Sequence, residues 1–101
     1  MPNFVKVAKT SEIPPGTGKT VEAGGVPIAL FNVGGSFHAV SNTCVHRGGP
    51  LGDGDLDGTT VSCPWHAWQY DVCTGKCLTN PMAAVPSYEV QVEGEDVLVG
   101  V

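Results

Sequence analysis

Two short stretches hold the residues best suited to chemistry: Cys44-Val45-His46 and Cys63-Pro64-Trp65-His66, with sixteen residues between the pairs. Thiolate is a soft ligand and neutral imidazole a borderline one, so four such groups brought together make a metal site. Two metal chemistries suit the set. A structural zinc site would close four ligands around a colourless ion. An iron–sulfur centre would be red-brown, and the glycine-rich, aromatic flanks of both pairs favour it. Glycines at 48, 49, 52 and 54 let backbone amides come close to sulfide, at an entropic cost when the loop orders. Pro50 and Pro64 stiffen the two loops.

Those flanks read Asn42-Thr43-Cys44-Val45-His46-Arg47-Gly48-Gly49-Pro50-Leu51 and Cys63-Pro64-Trp65-His66-Ala67-Trp68-Gln69-Tyr70-Asp71. In this form the chain resembles the Rieske family, and most closely the stand-alone Rieske ferredoxins that serve multicomponent oxygenases. The resemblance implies one [2Fe–2S] cluster, with Cys44 and Cys63 on one iron and His46 and His66 on the other. Replacing two anionic thiolates by neutral imidazoles makes an added electron less unfavourable. The range of about −150 to +300 mV belongs to Rieske centres as a class and is not a value obtained from this chain. Two departures from the respiratory-complex pattern refine the expectation. Gly49 and Trp65 stand where that subfamily has a disulfide, and Trp68 stands where it has a serine that donates to sulfide. Tyr70 occupies the position of a second donor. Fewer hydrogen bonds to sulfur place the potential in the lower half of the range. Leu51, Trp65 and Met82 are candidates for apolar cover, the last near the family's third, proline-bearing loop.

The elements that must position these residues are strands. Glycine (14) and proline (8) are spread through 101 residues, which leaves almost no place for a long helix. Phe4 to Val7 reads as a first strand and Ile13-Pro14-Pro15-Gly16 as a turn, with a strand from Lys19 to Ala23. Ile28 to Val33 and Ser36 to Val40 form a hairpin around Gly34-Gly35, where both residues can take positive φ. Trp68, Tyr70 and Val72 alternate with polar residues, as do Tyr88, Val90 and Val92. A turn at Gly94 leads to Val97, Val99 and Val101. The fold class is therefore all-β. The resemblance divides this one domain into an antiparallel β-sandwich base, about 1–41 and 83–101, and an inserted cluster-binding part, about 42–82.

A net charge of −5, from ten acidic and five basic residues, excludes a basic nucleic-acid footprint. No apolar run approaches the ~20 residues of a membrane span, and the opening residues lack a signal-peptide pattern. A cytoplasmic monomer is the expectation. Cys73 and Cys77 bracket Thr74-Gly75-Lys76 and read as free thiols, with a disulfide as the alternative. His38 reads as a strand residue. Asp53 to Gly58 matches the opening of a calcium loop, but Pro64 stands where a bidentate Glu is needed, so it reads as a solvated acidic turn. Phe4, Phe31 and Phe37 read as core.

The resemblance implies a one-electron carrier that takes electrons from an NAD(P)H-dependent reductase and passes them to a terminal oxygenase. It further implies that His46 and His66 sit at the tip of the cluster part. Catalysis by the chain itself is not expected, because a mononuclear iron needs two more histidines and a carboxylate, and only His38 remains. Two other readings stay open: a small Rieske-like subunit of an assimilatory nitrite reductase, and a redox-sensing or structural metal-binding module.

Overall fold

The fold is taken from a computed structural model, which describes residues 3–44, 49–65, 68–80 and 82–101. Among the described residues ten strands run in chain order: β1 (Phe4–Lys9), β2 (Thr17–Ala23), β3 (Val26–Val33), β4 (Ser36–Ser41), β5 (Asp55–Asp57), β6 (Thr60–Ser62), β7 (Gln69–Asp71), β8 (Ser87–Tyr88), β9 (Val90–Glu93) and β10 (Asp96–Gly100). Short 3₁₀ turns cover Thr10–Glu12 and Leu51–Asp53. The strands form three antiparallel sheets, ordered β1-β10-β9, β2-β3-β4-β8 and β5-β6-β7. This bears out the all-β expectation.

β3 explains how one small chain supports two cores. Its run Ile28-Ala29-Leu30-Phe31 is apolar without alternation, as a strand buried on both faces must be. Ile28 and Leu30 join Ala8, Ile13, Val21, Val97 and Val99 on one side. Ala29 and Phe31 face the other, among Val40, Leu51, Val61, Tyr70, Val72, Cys44 and Cys63. The cysteines of both ligand pairs therefore share the second core. Gly34 and Gly35, with φ of 57° and 98°, make the tight turn that sends the chain back along β4.

Two sequence expectations differ from the fold. The run from Tyr88 to Glu93 is not one half-buried strand. It breaks at Glu89, so that β8 pairs with β4 while β9 pairs with β10. Tyr88 and Val90 still pack against the same core on either side of the break, but Val92 is left 48% exposed at the sheet edge. The acidic turn is also more ordered than its composition suggests. Asp55–Asp57 is a strand paired with Thr60–Ser62, and the turn itself is centred on Gly58. Leu56 packs against the core while Asp55 and Asp57 stay exposed, so alternation outweighs the poor strand preference of aspartate.

Candidate metal centre

Both cysteines stand where a strand hands over to a loop. β4 ends at Ser41, just before Cys44, and β6 ends at Ser62, immediately before Cys63. Each cysteine then bonds to a carbonyl five residues onward: Cys44 N–H to Gly49 at 2.9 Å, and Cys63 N–H to Trp68 at 2.7 Å. A bridge between Thr43 and Pro50 fastens the base of the first loop, and the β6–β7 pairing fastens the second. Two loops with the same closure thus bring their cysteines side by side in one core.

Asn42 ties the first loop to the base. Its Oδ1 accepts from Gly52 N–H at 2.8 Å and from Thr20 Oγ1 at 3.1 Å. Its backbone carbonyl accepts from Leu51 N–H at 2.7 Å, and its N–H donates to the Pro27 carbonyl at 3.2 Å. A buried side-chain oxygen satisfied twice is a rigid fixture. A polar residue at the end of an apolar strand was the available signal, but its partners are remote in sequence.

Cys44 and Cys63 are 1% and 2% exposed. Burial pushes the Cys63 thiol up; a hydrogen bond from the Trp65 backbone opposes this, and the neighbouring Cys44 thiol adds to it. Two adjacent buried thiols resist ionisation until a cation holds both sulfurs. A Cβ on Gly49 would lie 2.8 Å from Cys63 Sγ and 3.1 Å from Trp65 Cγ, so glycine is what lets the first loop approach the second. Tyr70 is fully buried, with its hydroxyl 3.2 Å from Cys44 Sγ. A thiolate can only accept, so the O–H donates to it. Paired buried thiols and a hydroxyl donor aimed at one of them fit an iron–sulfur cluster.

The structure therefore brings Cys44 and Cys63 together, while His46 and His66 lie outside the described residues. Among the described residues no group of three or more His, Cys, Asp or Glu is placed to hold a metal. Of the residues expected to give apolar cover, Leu51 is fully buried in the core, Trp65 is 51% exposed and Met82 is 92% exposed. Trp68 packs against the same core. Cys73 and Cys77 are free thiols, the first exposed and the second buried. His38, read from sequence as a strand residue without a role, has its Nε2 3.7 Å from Cys73 Sγ. No helix among the described residues is long and apolar enough to cross a membrane.

Comparison with known proteins places this geometry. A model of the Rieske [2Fe-2S] domain matches residues 3–89. The ferredoxin component of the naphthalene 1,2-dioxygenase/salicylate 5-hydroxylase systems of Ralstonia sp. is 36% identical over 97 residues, covering 95% of this chain and 93% of that protein. A chain in the solved complex of reduced oxygenase and oxidised ferredoxin in carbazole 1,9a-dioxygenase matches with a TM-score of 0.87 and 35% identity. That match covers 96% of this chain and 92% of the other. The putative NADH-dependent nitrite reductase small subunit from Mycobacterium tuberculosis matches with a TM-score of 0.92 at 26% identity, covering 100% and 96%. The chain belongs to the Rieske [2Fe–2S] family, and within it to the ferredoxins of the dioxygenase-system type.

Proposed function

We propose that this protein is a one-electron carrier that accepts electrons from an NAD(P)H-dependent reductase and delivers them to a terminal oxygenase in the cytoplasm. Its ligands would be Cys44 and Cys63 on one iron and His46 and His66 on the other. When bound, the cluster supplies reversible one-electron redox chemistry. The observation that carries the reading is the pairing of two buried cysteines at the mouths of two loops closed in the same way. The chain's own residues then do three things. Cys44 and Cys63 fix the group to the core, Tyr70 donates toward Cys44 sulfur, and Leu51, Val61 and Tyr70 exclude water from the sulfur side. The division into a base (about 1–41 and 83–101) and a cluster-binding part (about 42–82) is supported by the β5-β6-β7 sheet, which falls wholly within the second.

The acidic surface gives partner recognition a direction. Lys6 is paired with Asp96 at 3.1 Å and Lys19 with Glu12 at 3.0 Å, so two of the five basic residues are already neutralised. A basic patch on the partner is the complement. The test is reconstitution with a purified reductase and terminal oxygenase of a naphthalene-type system. Coupled NAD(P)H oxidation and product formation that require this chain support the reading; electron delivery to none of the oxygenases tried, from a protein that reductase reduces, would overturn it. The whole-chain fold match to a nitrite reductase small subunit favours a second reading, in which the chain is a permanent subunit. Gel filtration of the purified protein separates them, since a carrier runs as a monomer.

A further inference from the structure

Away from the two ligand pairs, β4 and the turn after β7 bring together a thiol and an imidazole that the electron-carrier reading does not use. Cys73 is exposed, His38 is half-buried, and their Sγ and Nε2 atoms are 3.7 Å apart although thirty-five residues separate them in sequence. Both stand on fixed backbone. His38 lies within β4, in register with Phe31 of β3. The turn carrying Cys73 is closed by Asp71 N–H to the Lys76 carbonyl at 2.9 Å and Gly75 N–H to the Asp71 carbonyl at 2.8 Å. Cys73 N–H donates to Asp71 Oδ1 at 2.8 Å. The backbone beneath both residues is therefore held by sheet pairing and hydrogen bonds.

The spacing suits a shared ion. Zinc bonds of about 2.3 Å to sulfur and about 2.0 Å to nitrogen, at a tetrahedral angle, put the two donor atoms about 3.5 Å apart. We infer that Cys73 and His38 form a second metal site on this chain, for a thiophilic divalent cation such as Zn²⁺, with water in the remaining positions. On binding, the Cys73 S–H gives its proton to solvent and zinc takes its place on sulfur; nothing is oxidised or reduced. Partial desolvation, and then the Asp71 carboxylate, hold the Cys73 thiol above its usual range. The same carboxylate charge that makes a proton bind more tightly also favours a metal cation there. No third His, Cys, Asp or Glu among the described residues completes the set, so the protein supplies two ligands and water the others.

The experiment titrates the holoprotein with Zn²⁺ by calorimetry and follows alkylation of Cys73 by iodoacetamide using mass spectrometry. Buried Cys77 provides a slow internal background. The expected result is one protective zinc per chain, slowing Cys73 alkylation at least about tenfold. Losing even an outer partner of a metal site costs about 10–100-fold in affinity, so H38Q and C73S should each weaken binding by about tenfold or more. An unchanged visible spectrum shows that the variants are folded. Zinc that fails to protect Cys73, or protects it equally in H38Q, overturns the inference. X-ray absorption at the zinc edge of the wild-type protein needs no variant: one sulfur neighbour beside nitrogen and oxygen supports the site, and no sulfur overturns it.

Discussion

Replacing Tyr70 by phenylalanine removes one oxygen atom from a fully buried side chain and leaves its packing in place. The oxygen lost is 3.2 Å from Cys44 Sγ. A hydrogen bond to a charged acceptor contributes about 1.5–3 kcal/mol, but sulfur is anionic in both oxidation states, so only the strengthening on reduction moves the potential. Taking that share as ~1 kcal/mol, and 59 mV for each 1.4 kcal/mol in a one-electron couple, the midpoint should fall by about 40 mV. The assay is protein-film voltammetry on wild type and Y70F at one pH and ionic strength. The oxidised spectrum of Y70F should keep the wild-type bands, since no ligand is altered. A midpoint that stays within about 10 mV, or rises, would show that the hydroxyl does not donate to sulfur and would refute the reasoning.

Three other perturbations test separate parts of the site. Gly49→Ala puts a Cβ 2.8 Å from Cys63 Sγ, so iron and acid-labile sulfide per chain should drop well below wild type; full occupancy with an unshifted midpoint would show that the loops have room to spare. Asn42→Ala strands the buried Gly52 N–H and should cost about 1–3 kcal/mol, lowering the melting temperature by about 4–8 °C per kcal/mol; scanning calorimetry on the holoprotein reads this, and an unchanged melting temperature contradicts it. Transfer to a terminal oxygenase should slow as salt rises from low ionic strength, because a chain of net charge −5 is steered by opposite charge; a rate independent of salt contradicts this in stopped-flow experiments.

Much of this was legible in the residues because the informative signals are local. Gly34-Gly35 specifies its hairpin by the positive φ values that glycine tolerates, and the run from Ile28 to Val33 reads as one of its strands. Cys44 and Cys63 stood out through type and spacing, and the structure brings these two together. What escaped depends on contacts across the fold. Nothing near Glu89 announces that the chain changes sheets, because that is decided by which strand edges are already occupied. Asn42 reads as an ordinary strand-end residue until Thr20 and Gly52 are seen to share its carbonyl oxygen. His38 carries no signal of its own, since its partner Cys73 comes from the far side of the second ligand loop. Gly49 reads in sequence as a glycine that lets backbone amides approach sulfide, whereas in space its missing side chain lets the first loop lie against Cys63 Sγ and Trp65.

The most direct test of the centre is metal and sulfide analysis joined to electron paramagnetic resonance of the reduced protein, on wild type and on single substitutions of His46 and His66 by alanine. Two irons and two sulfides per chain are predicted, with nitrogen hyperfine coupling from two imidazoles in the wild type. Each substitution should abolish or visibly change the cluster spectrum. Zinc in place of iron, or a spectrum that survives both histidine substitutions unaltered, would contradict the account.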